Sequence, residues 1–323
     1  MAIARPWRAP RPDGPYAATP DDHAALNHVF SEAFTERYRR DGLVGVRVPF
    51  LNPSIWRYAI EDANGGALVW RDERDEIAAF NIVHCSGREG WMGPLAVRPD
   101  AQGSGLGKEI VRSGIDWLMA SKALTIGLET MPRTMDNIGF YSSLGFSPGR
   151  LTVTVTIDAA AASETPSVYG RLSARDKDDV LMESGELSQS VLPACDFTRE
   201  IELTDALGLG ETILFREGDR ITGFALVHTV PLVEGRAREE TRVLKIVLSQ
   251  RADLASAVAT LADFARRGGT RRVAFRVQTE YLESYQQLIA MGGRVRWTDL
   301  RMALSKYPEG KAKEGLLWSN WEI

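Results

Sequence analysis

The stretch Gln102-Gly103-Ser104-Gly105-Leu106-Gly107 decides how the rest of the chain is read. It follows Val97-Arg98-Pro99-Asp100-Ala101 and opens onto Lys108–Ser121, where Ile110, Val111, Ile115, Leu118 and Met119 recur at helical spacing. A glycine-rich turn at a helix N-terminus is an anion site on physical grounds. Its amides have no intrahelical acceptor, and the helix dipole adds partial positive charge. Glycine lets a bulky phosphate approach the backbone. A turn that binds nothing uses the same residues, so the spacing must separate the cases.

Two common phosphate motifs fail. A Walker loop places Gly four residues before Gly-Lys-Ser/Thr, but here Gln102 stands at that Gly and Glu109 follows Lys108. A dinucleotide fingerprint requires Gly-x-Gly-x-x-Gly, and Lys108 occupies its third glycine. The strands before the loop also argue against a parallel dinucleotide fold. Ala67–Arg71, Glu76–Cys85 and Trp91–Val97 are separated by short polar turns and predict an antiparallel meander.

Further out, residues 1–15 are expected to form a draped or disordered arm, and Tyr16–Ala18 a short strand. Thr19-Pro20-Asp21-Asp22 signals a helix start, followed by Leu26, Val29, Phe30, Ala33 and Phe34 at helical spacing. A second helix is predicted over Ser54–Ala63. After the glycine loop come a strand at Thr125–Glu129, a helix at Met135–Leu144 and a Val/Thr-alternating strand at Leu151–Ile157. Asp158–Ser167 (DAAAASETPS) is a predicted linker.

The order of elements then repeats. A strand at Val168–Leu172 precedes a helix from about Arg175. Strands at Thr212–Phe215, Ile221–Val230 and Arg242–Leu248 precede a helix over Asp253–Arg266. A strand at Arg272–Gln278, a helix at Glu280–Met291 and closing strands around Val295 and Met302 complete it. Leu316–Ile323 is apolar and is expected to dock on the rest of the chain.

Bulk composition narrows the function classes. The 323 residues carry a formal net charge of −4, without the basic surplus of a nucleic-acid binder. Cys85 and Cys195 match no metal spacing, so no metal is expected. Met1–Tyr16 lacks the apolar core of a signal peptide, and no run reaches the roughly 18 apolar residues of a membrane span, so a cytoplasmic protein without a membrane partner is expected.

The chain resembles the GNAT family of N-acetyltransferases. That family is marked by Q/R-x-x-G-x-G/A after a strand ending in V-x-P. Val97-Arg98-Pro99 and Gln102–Gly107 match every defined position, and Phe140-Tyr141-Ser142-Ser143-Leu144-Gly145-Phe146 matches a second signal, a Tyr shortly before Gly-Phe. The resemblance implies an α+β fold of two tandem GNAT-like units, each a mixed, mostly antiparallel sheet flanked by helices. Residues 1–157 would form the acetyl-CoA-binding unit and residues 168–323 a degenerate one.

The same resemblance implies site roles. Leu95, Ala96 and Val97 would pair with the pantetheine arm, and the amides of Gln102, Gly103, Ser104, Gly105, Leu106, Gly107 and Lys108 would hold the pyrophosphate. Thr134 and Asn137 would lie by the pantetheine or thioester, although the family usually has Asn at the first position. Tyr141 would serve the leaving thiolate. Several family members carry a carboxylate where Trp91 stands here. The general base is therefore open between Glu129, His84, a water chain, and an amine that is already neutral.

The second half lacks the site. Ser249-Gln250-Arg251-Ala252-Asp253 offers no glycine, and Leu288 falls where Tyr141 stands. The expected activity is transfer of an acetyl group from acetyl-CoA to a primary amine, of a small molecule, by direct attack. A CoA-binding regulatory module without turnover is the alternative, and a longer acyl donor is a variant. The chain is expected to be a monomer or homodimer.

Overall fold

The protein is described from a computed structural model covering residues 11–162 and 165–322. Residues 1–10 of the expected arm, and residues 163–164 of the expected linker, lie outside the described residues.

The first half runs β1 (Asp13–Ala17), α1 (His23–Arg40), α2 (Pro53–Asp62), β2 (Ala67–Arg71), β3 (Ile77–Ser86), β4 (Glu89–Val97), α3 (Leu106–Ala120), β5 (Thr125–Thr130), α4 (Met135–Ser142) and β6 (Phe146–Asp158). Local chemistry sets the helix starts. Thr19 and Asp22 form a capping box ahead of α1, and the Asn52 side chain accepts from the Ser54 amide at 3.1 Å ahead of α2. β2, β3 and β4 form the predicted antiparallel meander.

The second half repeats the order: β7 (Ser167–Val168), α5 (Ala174–Val191), α6 (Thr198–Ala206), β8 (Gly210–Glu217), β9 (Arg220–His228), β10 (Glu240–Leu248), α7 (Leu254–Arg267), β11 (Arg272–Gln278), α8 (Leu282–Ala290), β12 (Arg294–Leu304) and β13 (Leu316–Ser319). The expected strand over Val168–Leu172 shrinks to two residues before a short 3-10 turn. The closing region is the single strand β12. α6 has no counterpart in the sequence reading, because TREIELTDA is too polar to show an apolar stripe; Asp196 starts it by accepting from the Thr198 amide at 3.0 Å.

The two halves share one 13-stranded sheet in the order β1-β2-β3-β4-β5-β12-β6-β11-β10-β9-β8-β7, with β13 beside β10. Each half keeps its meander and one parallel pair, β4 with β5 and β10 with β11. The closing strands are exchanged. β12 pairs with β5 of the first half, β6 pairs with β11 of the second, and β6 and β12 pair with each other at the centre.

Helices cover both faces. α1 and α2 pack on one face of the first half through Leu26, Ile55 and Trp56 against Phe80, Trp91 and Trp321. α3 and α4 pack on the other, where Leu106, Ile110, Val111 and Leu118 meet Met92, Tyr141 and Met302. Each such side chain fully removed from water stabilises the fold by about 1.5–3 kcal/mol. Among the described residues, no helix is long and apolar enough to cross a membrane.

Candidate active site

β4 and β5 begin as parallel neighbours and then part. Their pairing covers Glu89–Met92 against Thr125–Leu128. A β-bulge at Gly93-Pro94, seen as a register shift against β3, re-aims the rest of β4. Beyond it Leu95, Ala96 and Val97 pair with β3 on one edge only. The other edge faces a cavity of about 470 Å³ bounded by α1, β4, the glycine loop, α3 and α4.

The glycine loop forms one end of this cavity. Gly103 and Gly105 take φ of +78° and +86°, the left-handed region where a side chain is strained, and Gly105 caps α3. No described acceptor receives the amides of residues 103–107; the first bond of the turn is from Lys108 N–H to the Gly105 carbonyl at 3.1 Å. Those amides sit at the positive end of a 15-residue helix. Gln102 ties the loop to β4, its Nε2 donating to the Val97 carbonyl at 2.9 Å.

Arg37, Arg40 and Lys108 line the cavity together with Glu36 and Asp136, three cations against two carboxylates. Hydrogen bonds from Arg39 and Arg40 hold Glu36 down to about 2, so Arg40 is partly neutralised. Arg37 is fixed between Asp41 and Asp136. The sequence reading missed Phe34, Arg37 and Arg40 as cavity residues. The only sequence signal for the cations was the run of Arg at the end of α1.

Ten of the residues singled out in the sequence come together on this cavity: Leu95, Ala96, Val97, Gln102, Gly103, Gly105, Gly107, Lys108, Asn137 and Tyr141. Tyr141 is buried, with its ring against Phe140 and Phe146, and burial pushes its phenol well above the ordinary value. It therefore holds its proton at neutral pH and can donate it.

Three residues do not line the cavity through their side chains. Leu106 points into the core, and the Ser104 hydroxyl donates to the Ala101 carbonyl at 2.9 Å. Thr134 is buried and donates to Asp41 Oδ2 at 2.8 Å, which ties the start of α4 to the end of α1.

Glu129 also does not line the cavity. Its Oε1 accepts from Arg301 Nε at 2.9 Å and Thr152 Oγ1 at 2.6 Å, and its Oε2 accepts from Arg276. Burial alone would raise this carboxyl, but Arg276 and Arg301 hold it below the ordinary range. Glu129 is thus held as a buried anion with both oxygens engaged. Its partners Arg276 and Arg301, and Asp299, which also pairs with Arg276, come from β11 and β12 and were not singled out in the sequence. His84 is fully buried, bonded through Nδ1 to Asp62 at 2.6 Å and stacked on Trp91 at 4.0 Å, and does not reach the cavity.

The second half shows the same divergence, filled differently. β10 and β11 pair only over Glu240–Arg242 and Arg272–Ala274. Beyond that, Lys245–Leu248 of β10 pair with Ser319–Leu316 of β13. The apolar segment expected to dock therefore occupies, in the second half, the place that lies open beside Leu95–Val97 in the first.

The comparisons with known proteins agree with this geometry. Residues 24–146 match the model of the acetyltransferase (GNAT) family. The fold is similar to that of a putative acetyltransferase from Pyrococcus horikoshii, with a TM-score of 0.67 and 17% identity over 99% of each chain. It is similar to a tandem GNAT protein from the clavulanic acid biosynthesis pathway, with a TM-score of 0.58 and 12% identity over 91% of this chain and 98% of that one. It is also similar to Saccharomyces cerevisiae N-myristoyltransferase, solved with myristoyl-CoA, with a TM-score of 0.60 and 10% identity over 95% of this chain and 81% of that one. No curated protein matches the chain by sequence. Residues 24–146 thus carry an acetyltransferase domain of the GNAT family, and the second half repeats its order of elements.

Proposed function

We propose that the protein transfers an acetyl group from acetyl-CoA to a primary amine of a small molecule in the cytoplasm, by direct attack within the unit formed by residues 1–157. The unit of residues 168–323 does not catalyse; it completes the sheet. The observation that carries this is the open edge of Leu95–Val97 leading to the unpaired amides of residues 103–107. Pantetheine pairs along that edge as an added strand, and pyrophosphate sits on the amides of the loop and the N-terminus of α3. The carbonyl oxygen of the thioester gains negative charge during attack, and a backbone N–H near Leu95 or Ala96 stabilises it. Tyr141 donates to the departing thiolate.

The alternative is a CoA-binding module without turnover. The Tyr141 hydroxyl on the cavity wall, a donor for the departing sulfur, supports the enzyme reading. Thiol release from acetyl-CoA with a panel of small primary amines tests it. Turnover is expected with at least one amine, and Tyr141→Phe should lower kcat on the order of 10²-fold while acetyl-CoA affinity stays within about twofold. Tight acetyl-CoA binding with no thiol release across the panel would leave the module as the correct reading.

A further inference from the structure

The segment that fills the second half does not stop there. After β13 it crosses into the first half, and Trp321 meets both banks of the fork between β4 and β5. Pairing of these strands ends at Trp91 with Gly127 and Met92 with Leu128. The outer carbons of the Trp321 indole lie against Gly127 of β5, so closely that a Cβ there would sit 2.4 Å from the ring. The Trp321 carbonyl is 3.8 Å from where a Cβ of Gly93 would be, and Gly93 is the first residue of β4 past the last pair. The ring also stacks on the Arg301 guanidinium at 4.0 Å and packs with the α1–α2 core.

The segment is pinned from both halves. Lys245 Nζ of β10 donates to Ser319 Oγ and to the Asn320 carbonyl, both at 2.9 Å. The Ser319 hydroxyl donates in turn to Glu89 Oε2 of β4 at 2.6 Å, and the Asn320 N–H donates to the Leu244 carbonyl at 2.9 Å. Lys245, Ser319 and Glu89 are all buried. Trp321 is buried too, yet its indole N–H meets no acceptor among the described residues. Packing and the pinned backbone therefore hold the ring in place. Diverging strands leave a notch on the sheet face where they part. Backbone groups on the freed edges would regain partners if the strands closed up, and an empty notch would favour that collapse. A ring filling the notch opposes it.

We propose that Trp321 is a positioning residue for acyl-CoA: supplied by the second half, it wedges the fork so that Leu95–Val97 keep an edge open for the pantetheine arm. This rests on Leu95–Val97 being the acyl-CoA edge. Trp321 does not line the cavity; it acts through Gly93 and Gly127, the two positions it touches at the fork. The wedge sets the strand edge and leaves the glycine loop, which caps α3, as it is. It also gives the second half a part in the first half's site. β13 fills the gap of its own half, and two residues past its end the same segment holds the other gap open.

The test is calorimetric titration of the full chain with acetyl-CoA and, separately, with ADP, which carries a pyrophosphate but no pantetheine arm. Trp321→Phe keeps a ring in the core and withdraws the outer carbons from Gly127. It should weaken acetyl-CoA binding about tenfold and leave ADP within about twofold. Gly127→Ala, whose methyl drives the indole off β5, tests the same contact from the other side and should also weaken acetyl-CoA. The double variant, in which that methyl meets the shorter ring, should recover most of the affinity. Ile55→Ala, which removes buried bulk from α2 in the same core, should lower Tm and leave acetyl-CoA affinity unchanged. Unchanged acetyl-CoA affinity in Trp321→Phe, equal losses for acetyl-CoA and ADP, or an equal loss in Ile55→Ala would overturn the proposal. If wild type binds no acetyl-CoA, the acyl-CoA edge itself falls, and the proposal with it.

Discussion

Glu200 is buried beside Asp62, with its Oε1 accepting from the Ser86 hydroxyl. Burial first, and the Asp62 charge second, push its carboxyl up to about 8 from an ordinary 4.5. The folded chain therefore holds a proton on Glu200 that the unfolded chain has already lost. Between about pH 4.5 and 8 stability falls as pH rises; the contribution is full below that window and gone above it. Glu200→Gln keeps the Ser86 bond and removes the titration. It should raise Tm at pH 8 on the order of 2–4 °C per kcal/mol recovered, and flatten the change in Tm between pH 5 and 8. An undiminished slope in thermal scans would assign the dependence to other groups. Residues whose role is local were legible: Gly103, Gly105 and Tyr141 sit inside short motifs. Arg276 and Arg301 were not, because their meaning comes from convergence of segments more than 140 residues from Glu129.

At the scale of elements, propensity and caps located most helices and strands, while pairing partners stayed hidden. A period-two strand such as β6 announces that it has neighbours but does not say which. The exchange of β6 and β12 is the result that periodicity could not reach. It has a direct consequence. A fragment of residues 1–162 keeps every element of the first half, yet β5 loses β12, and β6 loses both β12 and β11. The buried side chains of β6, among them Val153 and Val155, would face water, and three strand edges would lie open to other copies. This fragment should elute as aggregate or oligomer and lack native near-ultraviolet dichroism. A monomeric fragment with native dichroism would mean that the exchange is dispensable.

At the scale of the molecule, one architecture is used twice to different ends. In both halves the parallel pair parts after a few residues, leaving one strand edge without a neighbour. The second half fills that edge with its own Leu316–Ser319. The first keeps it open, with a glycine-cornered helix N-terminus at its end. The glycine count alone separated these two fates in the sequence; what fills the second edge required coordinates. The central claim is that the open edge and its loop take acyl-CoA, and the most direct test is calorimetric titration of acetyl-CoA into wild type and Gly105→Glu, with Tm recorded for both. The substitution places a carboxylate and a strained side chain at φ +86° where pyrophosphate must sit, the strain alone costing about 1–2 kcal/mol. Micromolar binding by wild type and none by a folded Gly105→Glu is the predicted result; equal binding by both would contradict the claim.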